Sequence, residues 1–284
     1  MLKAQLNVVA GALLFSTGGV AIKLSSMTGW QISCLRSLIA GVVLLLVFPR
    51  LGTVWTWRSL VVAIPYAATF TLFALANKLT TAANAIFLQD TAPLYILVLG
   101  PLLLHERTRA SDLGFMAALG AGLGLIFVSG ENPSASATDP SLGNILGVCS
   151  GITWALTVLG LRWLAVRSVT GSERPIAAVI AGCFLASVVA AGFAFPLESV
   201  TPGNWLIVLY LGVFQIALAY LLVTDGIRHV PALEVSLLLL VEPVLSPVWA
   251  WLFLDEVPGR LALAGGAIVI AATVLYPHRR YRTT

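Results

Sequence analysis

Apolar residues fill window after window of this chain with no polar face between them. Segments such as Gly41–Phe48 and Leu237–Val241 are apolar all round. That is the pattern of a helix set in lipid rather than the one-sided stripe of a soluble helix. A helix crossing the hydrocarbon needs about 20 such residues. The pattern predicts ten spans, at residues 6–24, 30–48, 59–77, 81–104, 111–129, 142–164, 176–195, 204–223, 232–254 and 260–276. Pro49, Gly52, Pro133, Pro140, Pro175, Pro196, Pro202, Pro231 and Pro258 punctuate the joins. The joins leave no room for a soluble domain. Leu6–Leu24 follows Lys3 as a signal peptide would. It has full spanning length and no small-residue cleavage site before Lys23, so it is expected to remain as the first transmembrane helix. The expected fold class is all-α integral membrane.

Composition agrees. The chain is 59% hydrophobic and 10% charged, whereas a soluble domain carries about 25% charged residues. The net charge of +4 comes from basic residues at helix ends, so nucleic acid is not an expected partner; the lipid bilayer is. Basic residues also set orientation. With both termini cytoplasmic, Lys3, Arg50, Arg58, Arg107, Arg109, Arg162, Arg167, Arg174, Arg228, Arg279, Arg280 and Arg282 lie inside, and only Lys23, Lys78 and Arg260 lie outside. Arg36 falls within a span. Cys34, Cys149 and Cys183 all fall inside spans, without metal-ligand spacing, and read as small buried hydrophobes. No metal site is expected.

The two halves resemble each other. At an offset of 150 residues, Lys78–Gly130 lies on Arg228–Arg280 without gaps, with Pro93 on Pro243 and Glu106 on Glu256. Ala82, Leu88, Val98, Leu102, Leu104, Leu113, Ala117 and Leu125 also meet identical residues. At an offset of 139, Phe15 and Lys23 lie on Trp154 and Arg162. The expected domains are residues 1–132 and 141–284. Each holds five spans, and an odd number makes the second half enter the membrane from the opposite side. Such inverted repeats suit alternating access around a central site.

Ionisable side chains inside spans are costly and usually paired or functional. Glu242 starts about 15 Å into the ninth span, with Ser246 and Trp249 on the same helical face at i+4 and i+7. Its repeat mate is Ala92, flanked by Gln89 and Tyr95. The expectation is that this face of spans four and nine lines a substrate cavity, with Glu242 as the coupling candidate if protons are exchanged. Arg36 and Asp90 lie at similar depths and are expected to pair, with Arg36 as a carboxylate-holding alternative. Trp154, Gln215 and Tyr220 are further candidates for the cavity wall; Trp163 is another, read first as an interfacial anchor. Pro93 and Pro243 are hinge candidates. Glu106 and Glu256 are expected to be structural. Trp30, Trp55, Trp57 and Trp205 read as interfacial anchors. Gly143, Gly147, Gly151 and Ala155 recur every fourth residue in the sixth span, and Gly120 and Gly124 do so in the fifth. Such stripes suit close helix packing within the chain, or a homodimer as the alternative.

The paired endings Leu102-Leu103-Leu104-His105-Glu106 and Leu252-Phe253-Leu254-Asp255-Glu256, with Pro93, Pro243 and the openings Phe15 to Lys23 and Trp154 to Arg162, resemble the drug/metabolite transporter superfamily. Each half resembles an EamA-like repeat. Phe15 stands where members of that family often carry Trp. The resemblance implies a secondary transporter of the bacterial inner membrane, exporting amino acids or other small metabolites, without cofactor or ATP hydrolysis. Independently, no Gly-x-x-x-x-Gly-Lys-Ser/Thr loop is present. A channel or membrane scaffold is the alternative. An enzyme is not expected: His105, His229 and His278 sit at helix ends and build no metal cluster or Ser/His dyad.

Overall fold

The computed structural model describes residues 1–49, 56–104, 110–129, 138–167, 175–197, 200–254, 260–261, 263–268 and 271–272. Among these there is no strand. The helices are α1 (Leu2–Ser16), α2 (Gly18–Leu24), α3 (Gly29–Val47), α4 (Trp57–Leu79), α5 (Ala82–Gln89), α6 (Ala92–Leu104), α7 (Ala110–Ser129), α8 (Pro140–Arg167), α9 (Pro175–Ala194), α10 (Pro202–Tyr210), α11 (Ala219–Gly226), α12 (Ala232–Leu238) and α13 (Val241–Leu254). A π-helical stretch, Leu211–Leu218, joins α10 to α11.

Threonines start several of these helices. Thr28 and Gln31 form a reciprocal capping box at α3. Thr56, Thr81 and Thr201 each accept from a backbone N–H three residues on. Pro140, Pro175 and Pro202 take first-turn positions, where their missing N–H costs nothing.

Eight helical stretches among the described residues are long and apolar enough to cross a membrane: 2–24, 29–47, 57–79, 84–104, 140–166, 175–194, 202–226 and 232–253. They correspond to eight of the ten predicted spans. α7 occupies the predicted fifth span as a helix of 20 residues. The predicted tenth lies partly outside the described residues, although 260–261, 263–268 and 271–272 are helical. Glu106 and Glu256 lie outside the described residues.

The structure breaks three of the predicted spans, two of them beside the hinge candidates Pro93 and Pro243. The first span divides at Thr17. The fourth divides at Asp90–Thr91 and the ninth at Leu239–Leu240. The last two are repeat mates to within one residue, each just before its proline, Pro93 or Pro243. A proline cannot donate to the carbonyl four residues back. The backbone instead tightens into shorter bonds, Thr91 N–H to the Leu88 carbonyl at 3.4 Å and Glu242 N–H to the Leu239 carbonyl at 2.9 Å.

The largest packing faces join the two halves of the sequence: α4 on α8 and α9, α3 on α9, α1 on α11, and α5 on α8. Small residues crowd the inner side of α9, together with Ile176, Val179 and Ile180. On α9, Ala177, Ala178, Gly182, Cys183, Ala186 and Ala190 are buried, while Val188, Val189 and Phe193 are exposed. Apolar outer faces need no water, and small inner faces let backbones approach closely. The glycine stripe of α8 is used in this way. A Cβ on Gly143 would lie 2.7 Å from the Thr80 backbone nitrogen, and one on Gly151 2.6 Å from the Leu88 carbonyl oxygen. The stripe therefore seats α5. On α7, Gly120 and Gly124 meet nothing within 4 Å.

Polar contacts gather at the helix ends. At one end, Ser25 and Ser26 bond Asn204, Gln31 reaches the Pro196 carbonyl, Asp139 N–H donates to the Leu79 carbonyl, and Thr80 bonds Asn144. There two lysines cap each other's helices. Lys23 on α2 donates to the Thr80 carbonyl after α4 (2.8 Å), and Lys78 on α4 donates to the Ser25 carbonyl after α2 (2.6 Å). Cations at helix C-termini are favourable. At the other end, Gln5 bonds Glu234, Asn7 bonds Asp225, and Arg162 donates to the Ile227 and Arg228 carbonyls after α11. Arg162 is the repeat mate of Lys23 and performs the same capping task.

Candidate functional site

A cavity lies where the two halves meet. Phe15 of α1, Thr69, Phe70 and Phe73 of α4, Gln89 of α5, Trp154 of α8, Gln215 of the π-helical stretch and Glu242 of α13 line it. The space open to the centres of water molecules is about 20 Å³, room for a water or two. A metabolite would need the walls to part.

Each wall has a local cause. The α5 break leaves Gln89 as the last residue of its helix, and Ser150 of α8 donates to its side-chain oxygen at 2.8 Å. Thr69 donates back to the Pro65 carbonyl at 2.7 Å and sits 3.0 Å from the Thr153 hydroxyl. Glu242 opens α13 directly after the other break. Gln215 lies in the π-helical stretch, a local widening often found at functional sites. Gly18 packs against its amide.

Around the cavity runs an aromatic cluster centred on Tyr220, which is fully buried. Its ring meets Phe15 at 5.3 Å, Tyr66 at 4.9 Å, Phe70 at 5.7 Å and Trp154 at 6.3 Å. Phe15 and Trp154, repeat mates in sequence, touch edge-on at 6.1 Å. Phe70 falls on Tyr220 at the offset of 150, so a second pair of repeat mates also meets here.

Buried polar groups usually have partners, yet several near this cavity have none: Gln215 Oε1, the Tyr220 hydroxyl, Asp90 Oδ2, and Arg36 Nε and Nη1. Arg36 is fully buried. Its Nη2 donates to the Phe70 carbonyl at 2.7 Å and its guanidinium lies 5.2 Å over the Phe70 ring.

The structure thus gathers Gln89, Trp154, Gln215 and Glu242 of the sequence-predicted residues, with Tyr220 directly behind them. Three expectations are corrected. Arg36 and Asp90 do not pair. Similar depth fixed their height but not their position around the bundle: Arg36 sits among α4 and α9 groups, whereas the Asp90 carboxyl lies near enough to Glu242 for their charges to interact. The break at Asp90–Thr91 turns its carboxyl toward Glu242. Ser246 and Trp249 share the Glu242 face but do not line the cavity. Trp249 Nε1 donates to the Ser16 hydroxyl at 2.8 Å, and Ser246 bonds the Ser16 and Glu242 carbonyls, so both hold α13 to α1 at the Thr17 break. Tyr95 is a half-buried core residue beyond the α5–α6 break, which resets the helical phase that linked it to Gln89. Trp163 meets Trp57 edge-on, with Arg58 over both rings, away from the cavity.

Thr69, Phe70 and Phe73 were not singled out from the sequence. One signal was available: the 150-residue offset, carried back into α4, places Phe70 on Tyr220.

The EamA-like transporter family matches residues 2–129 and again residues 141–276. An uncharacterized transporter of Archaeoglobus fulgidus is 24% identical over 233 residues, covering 81% of this chain and 79% of its own length. The pseudopaline exporter CntI of Pseudomonas aeruginosa is 26% identical over 198 residues, covering 68% of this chain and 64% of its own length. One crystal structure, 19% identical in sequence, superposes with a TM-score of 0.80 over 100% of this chain and 99% of its own.

Proposed function

The chain belongs to the EamA-like transporter family, and from that premise we propose that it exports small amphiphilic metabolites, amino acids foremost, by alternating access between two inverted five-helix halves. One observation carries the reading. Two helices at matching positions of the repeat break beside their prolines, and the residues released there, Gln89 and Glu242, line one cavity between the halves. Broken helices around a central site are how secondary transporters expose polar groups within the hydrocarbon.

Further features support the ten-span, inverted arrangement. The family matches the chain twice, once in each half. Helix ends assigned outside by their basic residues contact one another, and so do those assigned inside. Asp139 returns to the end where α4 finishes, so once 84–104 has crossed, α7 supplies the return crossing. The reading places the protein in the bacterial inner membrane with both termini cytoplasmic. A relative named as an exporter supports the outward direction. Glu242 is the residue proposed to couple transport to protons.

Counterflow in proteoliposomes tests this. Loaded with a panel of unlabelled amino acids and amines, vesicles should accumulate the matching labelled compound saturably. Glu242→Gln, inserted at normal levels, should lower the rate at least about tenfold, the size of one lost charge-assisted interaction. Unchanged transport in that variant would remove Glu242 from the mechanism. A non-saturating current would instead identify a channel.

A further inference from the structure

We infer that the cavity recognises its ligand by an ammonium group, so that the substrates of the transporter proposed above are amine-bearing organic cations or zwitterions, and a carboxylate alone does not suffice. This deepens the transport reading and rests on it.

The lining is the first ground. Among the described residues it holds one carboxylate, Glu242, four aromatic rings, Phe15, Phe70, Phe73 and Trp154, and no basic side chain. Aromatic faces carry negative potential and attract cations, most strongly where water is excluded. The faces of the same rings repel an anion.

The free hydrogen-bonding capacity is the second. Gln215 lines the cavity, is 3% exposed, and its Oε1 accepts no hydrogen bond. An ammonium has donors and no acceptor, so it complements an open carbonyl oxygen beside a carboxylate. Gln89, on the opposite break, already has its oxygen engaged by Ser150.

Charge is the third. Asp90 is 3% exposed, with Oδ2 unpartnered, and it interacts with Glu242. Among the described residues no basic side chain lines the cavity beside this acid pair, and a bound ammonium would supply its counter-charge. Buried charges left unbalanced are costly.

Size agrees. An ammonium head is about as large as a water, and room for a water or two is what the closed walls leave. The rest of the substrate would occupy the space that opens when the halves move apart.

The test uses the full chain in nanodiscs and three compounds sharing one phenyl group: 2-phenylethylamine, phenylalanine and 3-phenylpropanoate. Dissociation constants are read by calorimetry. The amine and the zwitterion should bind, with the carboxylate at least tenfold weaker. Glu242→Gln should weaken the amine at least tenfold, and Gln215→Leu and Trp154→Leu severalfold, without changing affinity for the carboxylate. Carboxylate binding as tight as the amine overturns the assignment, as does binding by none of the three. Saturation by sodium chloride that excludes the amine also overturns it, in favour of a metal-cation site. Should Glu242→Gln fail to fold, the ligand series on the unaltered chain decides alone. Liposome counterflow separates this inference from transport. Movement of the carboxylate without the amine overturns the ammonium site and leaves transport standing. Amine binding without any counterflow does the reverse.

Discussion

At the scale of the residue, Arg36 is the one described residue with two buried side-chain atoms left without a partner. It is fully buried, gains one hydrogen bond and one ring, and leaves Nε and Nη1 unpartnered. Each buried donor left open costs about 1–3 kcal/mol, and a buried charge without a counter-charge is costly. Arg36→Met should therefore raise the thermal midpoint of the detergent-solubilised protein, by about 1–2 kcal/mol on that scale, while transport falls. A lower midpoint would mean the Phe70 contacts outweigh the open donors. Sequence reading found Arg36, Asp90 and Glu242 because charge inside an apolar run is conspicuous. It misassigned the first two because depth along a helix says nothing about azimuth in a bundle. Thr69, Phe70 and Phe73 gave no such signal: a Thr or Phe in a span looks the same whether it meets lipid, a neighbour or a cavity.

At the scale of the element, the breaks in spans four and nine organise the site, and the α8 glycines keep one of them in place. Gly151 lies against the Leu88 and Gln89 carbonyls and the Thr91 hydroxyl, with the backbone of Leu88 nearest. Gly151→Ala should cost about 1–3 kcal/mol through overpacking and shift the α5 break out of register with Glu242, lowering both folded yield and transport. Gly124→Ala, which would meet nothing within 4 Å, should leave both unchanged. Size-exclusion profiles and counterflow rates on the pair check this. If the two variants behave alike, the stripe does not seat α5. The prolines announced these breaks in the sequence. The π-helical stretch at Gln215 and the division at Thr17 were not announced, since neither carries a proline.

At the scale of the whole molecule, the crossing pattern is open to direct test. Cysteine placed at Thr138 should react with an impermeant thiol reagent added outside whole cells. Cysteine placed at Arg228 should react only after permeabilisation, in a background free of Cys34, Cys149 and Cys183. Labelling of both from the same side would overturn the ten-span order. Helical class and membrane location were legible from hydropathy alone, because lipid imposes length and apolarity on every span. The way the halves interlock was not, because small buried faces and large lipid-facing ones are equally apolar letters in a sequence. That interlock bears on how the protein is made. α3 and α4 find their main packing partners in α8 and α9, which leave the ribosome only after the whole first half. During that interval the faces that these two helices turn toward α8 and α9 have no mate but lipid. A messenger cut short after α7 should yield a product that inserts but is cleared by membrane proteases, and supplying the second half as a separate polypeptide should rescue it.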